Sequence, residues 1–451
     1  MARKPKSQHV CTACGSIQPR WLGQCPECEA WNTLEEEVAT GAAPPGRGSR
    51  AVPSDDVPDD RMERVRSGIG ELDRVLGGGC VPGSVVLVGG EPGVGKSTLM
   101  LQAAGSMARS GLKVLYATGE ESVAQVAGRA RRLGCACPEL LLLSETSLET
   151  VLAQIRRSEP AMIVLDSVQT VRCSELESAP GTVGQVRAAA AQLADHARLS
   201  GAAVFLVGHV TKEGTLAGPK LLEHMVDVVL YFEGETTRHY RVVRNAKNRF
   251  GATHEIGVFE MTGRGLVEVA EPSGIFLDQD RPPTPGVAIH AGAEGGRGLV
   301  MEIQALVTPA GFGTARRSLT GLDAGRVSLV LAVLDRKAGV HVLDQDVFVN
   351  APGGLRVVEP AADLAVAAAV LSAVTGEPCD RETAWAGELG LTGEVRWVGR
   401  MQPRVAEVRK LGLRRLVVPE SNLAEASRLA GEQLAVESLS DVTGLLQSVA
   451  R

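Results

Sequence analysis

The sequence predicts an α/β protein of several domains, on three observations. Between about residues 61 and 270, short β-branched runs alternate with longer helical patterns. A Gly-rich loop follows the first such run, and a cysteine-rich N-terminal segment is set off by a Pro/Gly-rich stretch. At about 150 residues per domain, 451 residues give two or three sizeable cores. A composition of 44% hydrophobic and 22% charged residues belongs to a globular chain. The 47 basic and 53 acidic residues leave a net charge of −6, which excludes coating of nucleic acid by bulk positive charge. Seven Phe, four Trp and three Tyr are too few for a surface built mainly of base-stacking rings.

The first element, residues 1–34, holds four of the nine cysteines: Cys11-x-x-Cys14 and, ten residues on, Cys25-x-x-Cys28. Each CxxC turn can aim two sulfurs at one ion, and two such turns close a tetrahedron suited to structural Zn²⁺, with no open position for catalysis. So small a segment has little apolar surface, so the metal would supply much of its folding free energy. The other five, Cys80, Cys135, Cys137, Cys173 and Cys379, are scattered. An odd total, with a basic N-terminus that lacks the apolar stretch of a signal peptide, predicts a reducing, cytoplasmic setting. No run of about 18 apolar residues predicts a membrane span.

Residues 35–60, EEEVATGAAPPGRGSRAVPSDDVPDD, cannot bury a core and read as a linker. From 61 to 270 the runs VVLVG (85–89), KVLYAT (113–118), AMIVLD (161–166), AAVFLVG (202–208) and VDVVLYF (226–232) predict a largely parallel sheet covered by helices. Residues 271–286 read as a second, Pro-rich connection. Residues 287–451 mix strands with an Ala-rich helix near 361–374.

After VVLVG come Gly90, Glu91, Pro92, Gly93, Val94, Gly95, Lys96, Ser97 and Thr98, a GxxxxGK[ST] loop between a strand and a helical pattern. Its backbone N–H groups would cradle the phosphates of ATP, with Lys96 between the β- and γ-phosphates and Ser97 on Mg²⁺. Asp166, ending MIVLD, stands where a carboxylate reaches the Mg²⁺ shell. Hydrolysis also needs a base for water, and Glu120 or Glu121, just after KVLYAT, is the candidate. His209, after the fourth run, could sense the γ-phosphate. The stretch 238–249 carries Arg238, Arg241, Arg244, Lys247 and Arg249 with no acid, which suggests contact with phosphate, of nucleotide or DNA.

Segment 67–99 resembles the RecA-type ATPase core. Together with the Cys₄ knuckle, GHVTKEG (208–214) and Lys247-Asn248-Arg249-Phe250-Gly251, it resembles the bacterial DNA-repair family RadA, also called Sms. The resemblance covers nearly the whole chain outside 35–60. It implies a RecA-like P-loop ATPase core with an N-terminal zinc-ribbon-like knuckle. It also implies a hexameric ring that binds single-stranded and branched DNA and drives branch migration or strand extension alongside the RecA recombinase. By the same resemblance Glu120 activates water, His209 senses the γ-phosphate, and Lys247 and Arg249 reach the neighbouring subunit's nucleotide. A cation supplied in trans can contribute about 10³–10⁵ in rate. Loops at roughly 174–187 and 212–220, with Arg187, Lys212 and Lys220, are where such rings contact DNA.

Segments 353–376 and 385–419 resemble the proteolytic domain of Lon, which implies a C-terminal α+β Lon-protease-like domain over 287–451. The Ser and Lys of the Lon dyad fall at Ala361 and Arg404. Ala has no nucleophilic atom, and Arg stays protonated near neutral pH, so the pattern excludes a peptidase. The domain is expected to be a scaffold for ring assembly, with duplex contact through Arg400, Arg409, Lys410, Arg414 and Arg415. Two other readings remain at this stage: a nucleotide-switched DNA-binding adaptor with little turnover, and a circadian-clock-type kinase. The knuckle, residues 247–251 and the single ATPase core weigh against the kinase.

Overall fold

The computed structural model describes residues 7–11, 16–27, 29–38, 53, 63–209, 220–233, 239–278, 281–311, 314–352 and 356–449. It divides into two units, Met1–Glu268 and Val269–Arg451. At the N-terminus β1 (Ser7–Cys11) pairs antiparallel with β2 (Ile17–Gln18) and β3 (Leu34–Val38). The sheet therefore takes in residues 35–38, which the sequence reading assigned to the linker. Cys11, Cys25 and Leu34 are buried together, with Leu22 against them.

The strands that follow in the first unit are β4 (Val85–Gly89), β5 (Val114–Thr118), β6 (Leu140–Ser144), β7 (Met162–Asp166), β8 (Ala203–Val207), β9 (Val228–Glu233), β10 (Tyr240–Asn248), β11 (Ile256–Thr262) and β12 (Gly265–Glu268). They lie in the order β12-β11-β10-β9-β4-β8-β7-β5-β6. From β9 to β6 the pairing is parallel, and β10–β12 extend the β9 edge antiparallel. The helices are α1 (Gly70–Leu76), α2 (Lys96–Arg109), α3 (Val123–Arg132), α4 (Leu148–Ser158), α5 (Val183–Ser200) and α6 (Lys220–Met225).

Strand parity decides which helices each residue meets, because successive side chains point to opposite faces. Val86, Val88, Tyr116 and Val164 join Leu99, Met100 and Val126 of α2 and α3 in one core. Leu87, Leu115, Ile163 and Leu165 join Leu148, Ile155 and Leu193 of α4 and α5 in the other. Burial on both faces explains why these strands read as unbroken apolar runs. Their C-terminal ends, Gly89, Thr118, Asp166 and Val207, share the edge where such sheets bind ligands.

The second unit begins with α7 (Ser273–Phe276). Ser273 Oγ donates to Glu407 Oε1 at 2.6 Å and accepts from Val300 N at 3.1 Å, so part of the expected 271–286 connection packs within this unit. Then come β13 (Val287–Glu294), β14 (Arg297–Pro309), β15 (Arg317–Thr320), α8 (Ala324–Lys337), β16 (Gln345–Asn350), α9 (Asp363–Thr375), β17 (Thr383–Trp385), β18 (Glu388–Leu389) and β19 (Val395–Arg396). The chain ends with α10 (Met401–Lys410), β20 (Arg415–Pro419), α11 (Leu423–Ala430), β21 (Ala435–Leu439) and α12 (Leu445–Val449). The main sheet runs β15-β16-β14-β13-β17-β20-β21. The Ala-rich helix is α9, buried along Asp363–Ser372, as expected of a helix apolar on every side.

Candidate nucleotide site

The phosphate loop leaves β4 at Gly89 and enters α2 at Lys96. Gly93 and Gly95 have φ of 77° and 119°, a region that disfavours side chains, and a Cβ on Gly95 would lie 2.8 Å from Met261 Cε. Lys96 is 3% exposed and folds back on the loop's own carbonyls, donating to Gly90 O at 2.8 Å and Glu91 O at 2.9 Å. Burial pushes its ammonium down to about 8, against the opposing pull of the Asp166, Glu120 and Glu91 charges. From β10, buried Arg241 donates through Nε to Val94 O at 3.0 Å, holding the loop's tip from behind.

Opposite the loop, three strand ends converge. His209 places Nδ1 3.3 Å from Lys96 Nζ and Nε2 3.1 Å from Glu120 Oε1. An ammonium only donates, so Nδ1 accepts and Nε2–H donates to the carboxylate. Ser167 Oγ donates to the same Glu120 oxygen at 2.6 Å. Desolvation pushes the Glu120 carboxyl up, but the bonds from Ser167 and His209, with the Lys96 charge, outweigh it and hold the carboxyl below its ordinary value. Glu121 faces elsewhere: its carboxylate is paired with Arg129 of α3 at 2.7 Å. Gln169 exchanges two bonds of 3.0 Å with the His209 backbone, fixing where the imidazole starts. Asp166, 5% exposed, accepts from the Tyr116 hydroxyl.

Ser97, half-buried on the first turn of α2, and Asp166 supply a hydroxyl and a carboxylate. Hard oxygen donors of this kind suit Mg²⁺. In the knuckle, Cys11 N donates to Ser16 O and Cys25 N to Ala30 O, both at 2.9 Å. Both sulfur-bearing residues are buried, and soft thiols in paired turns suit Zn²⁺. Cys14 and Cys28 lie outside the described residues.

The basic run is engaged within its own chain. Lys247 Nζ donates to Glu223 O and, at 2.8 Å, to Val226 O, at the end of α6. Arg249 pairs with Asp227 at 3.1 Å and Arg244 with Glu233 at 2.7 Å. Asn248 Nδ2 donates to Leu76 O at 3.3 Å, Phe250 N to Asn248 Oδ1 at 2.8 Å, and Arg64 to Phe250 O. Residues 247–251 thus wrap the end of α1, with Gly251 beside Gly77. Within this chain the described members of the basic run, which the sequence suggests for phosphate contact, meet local acids and carbonyls. Arg187 stands half-buried in α5 rather than on a loop. Gln185 ties 174–178 down through Cys173, Leu176 and Ser178. Lys212 and Arg238 lie outside the described residues, as does the side chain of Lys220.

In the second unit Ala361 and Arg404 line a cavity of about 350 Å³ with Glu359, Glu388, Trp397 and Arg400. Arg404 is 2% exposed and spent on Glu359, Ala291 O and Gly399 O. Glu359 also accepts from His290 Nε2 at 2.8 Å.

Sequence reasoning passed over Tyr116, Ser167 and Gln169. Ser167 carried the one available signal, since it directly follows Asp166. The others become visible only when distant strands are laid side by side.

Residues 52–215 match the AAA domain family, residues 9–36 the rubredoxin metal binding domain and residues 326–422 subunit ChlI of Mg-chelatase. A DNA repair protein RadA of Pseudomonas aeruginosa is 48% identical over 97% of this chain and 98% of its own. The one from Bacillus subtilis is 46% identical over 93% and 94%. Among solved structures, a KaiC-like protein of Pyrococcus horikoshii covers 46% of this chain and 99% of its own, at 20% identity and a TM-score of 0.40.

Proposed function

This chain belongs to the RadA family of DNA repair proteins, and from that premise we propose that its ATPase domain drives movement along DNA during recombinational repair. The observation that carries the reading is the single line of contacts from the phosphate-loop cation, Lys96, through His209 to Glu120 and Ser167.

In this reading ATP lies along Gly90–Thr98, and Lys96 leaves the Gly90 and Glu91 carbonyls for the β- and γ-phosphates. Ser97 and Asp166 hold Mg²⁺, which offsets phosphate charge when bound. Glu120 takes the proton of the water that attacks the γ-phosphorus. A carboxylate held by two donors keeps its orientation and stays ionised, as a base must. His209 loses its Lys96 donor when the ammonium turns to phosphate, so the imidazole reports nucleotide occupancy to the segment that follows it. The pairing of Glu121 with Arg129 supports Glu120 over Glu121 as the base.

Lys247 and Arg249 act on the neighbouring subunit's nucleotide within a hexameric ring in the cytoplasm. In this reading single-stranded and branched DNA meet Arg187 near the start of α5, Lys212, and Lys220 at the start of α6, and the RecA recombinase acts alongside. Cys11, Cys14, Cys25 and Cys28 hold a structural Zn²⁺, and the second unit serves as a scaffold without peptidase chemistry. Among the described residues no helix is long and apolar enough to cross a membrane.

Steady-state ATP hydrolysis with and without single-stranded DNA tests the motor. Turnover stimulated by DNA and lost in Glu120→Gln supports it. Undetectable turnover in both conditions would leave only a nucleotide-switched adaptor.

A further inference from the structure

Tyr116 sits at the centre of β5 with no exposed surface, among Leu99, Met100, Val126 and Val164. That surrounding is apolar and would accept phenylalanine equally well. A buried hydroxyl costs free energy unless it is paired. Here it is paired with one group, Asp166 Oδ2. The same hydroxyl lies 3.5 Å from the carbonyl oxygen of Ser97. One phenol therefore touches both segments that carry the metal donors, the first turn of α2 and the end of β7. Among the described residues Asp166 Oδ1 has no protein partner. The parallel register explains the reach: Thr118 pairs with Asp166, so Tyr116 lies two residues back on the neighbouring strand, on the face toward α2.

We propose that Tyr116 is a positioning residue for the metal–nucleotide centre: its hydroxyl fixes the Asp166 carboxylate through Oδ2, leaving Oδ1 for the cation held with Ser97. Without that bond the carboxylate is free to rotate about its last torsion. Ordering it then falls to the metal itself. The bond's value should appear in metal affinity and not in nucleotide contacts made without metal. The inference rests on the metal role proposed above for Asp166.

The test uses the full-length protein and a fluorescent N-methylanthraniloyl ADP, bound at equilibrium over a Mg²⁺ titration and again in EDTA. Tyr116→Phe should raise the Mg²⁺ concentration for half-maximal enhancement of binding about five- to tenfold, the scale of one ordinary hydrogen bond. Its affinity in EDTA and its melting temperature should match the wild type. Asp166→Asn, run in parallel, should flatten the Mg²⁺ titration. If Tyr116→Phe superimposes on the wild type while Asp166→Asn flattens, the positioning role is overturned and the Asp166 reading stands. If Asp166→Asn leaves the titration unchanged, the metal reading falls and the inference falls with it. Equal losses with and without metal in Tyr116→Phe would show a packing role and overturn the proposal.

Discussion

His209 Nε2 lies 3.1 Å from Glu120 Oε1, and the same ring's Nδ1 lies 3.3 Å from Lys96 Nζ. One imidazole thus joins the phosphate-loop lysine to the carboxylate proposed above as the base. His209→Ala should lower kcat about a hundredfold, the scale of a lost contribution to general-base catalysis, while ATP affinity changes less than about twofold. Phosphate-release assays and equilibrium nucleotide binding check the two halves. A large loss of affinity would assign the ring to binding.

Lys247 is held by Glu223 O and Val226 O in its own chain, so a trans role requires it to leave them on assembly. Lys247→Ala should suppress hydrolysis more than nucleotide binding. Mixing it with Lys96→Ala subunits should restore part of the activity, since each would supply what the other lacks. No rescue at any mixing ratio would confine Lys247 to capping α6.

Arg241 is 3% exposed and bonded to the Val94 carbonyl. Arg241→Met keeps much of the volume but strips that carbonyl of its donor, at a cost of about 1–3 kcal/mol. ATP affinity should fall roughly tenfold with the melting temperature lowered. Unchanged affinity in a stable variant would show that the loop keeps its shape without this prop.

Glu359 faces His290 and Arg404, with Glu388 across the same cavity. Desolvation raises its carboxyl, but the His290 and Arg404 bonds and charges prevail and bring it from 4.5 down to about 2. A depressed folded-state pKa adds stability that is present above about 4.5 and lost as pH falls toward 2. At about 1.4 kcal/mol per unit the contribution is roughly 3 kcal/mol. Amide exchange in β13 and α10 should accelerate across that window. Glu359→Gln should flatten the dependence and already be less stable at pH 7, because Arg404 stays buried without its anion. A wild-type acid limb unchanged in the variant would place the titration elsewhere.

Local pattern carried much of this protein. Unbroken apolar runs marked β4, β5, β7, β8 and β9 to within a residue or two, because burial on both faces leaves no polar position in a central strand. The phosphate loop was legible because Gly93 and Gly95 must adopt positive φ, a demand written in residue type. Two boundaries were less legible. The stretch 35–38 looks like linker but is recruited by pairing with β1, and 271–278 looks like a connection but docks through Ser273.

Residue type and spacing alone thus determined the loop, its helix, the parallel sheet and the paired cysteine turns. Which of two adjacent glutamates faces the site was decided by tertiary structure, through Ser167 and His209 on one side and Arg129 on the other. So was the fate of the basic run, whose charges meet partners on α6 and β9, and so was the bond from Tyr116 to Asp166. The physical reason is reach: a hydrogen bond is decided within about 3 Å, whereas His209 stands 113 residues from Lys96 and 89 from Glu120 along the chain. Only the order and register of the strands bring such groups within that distance.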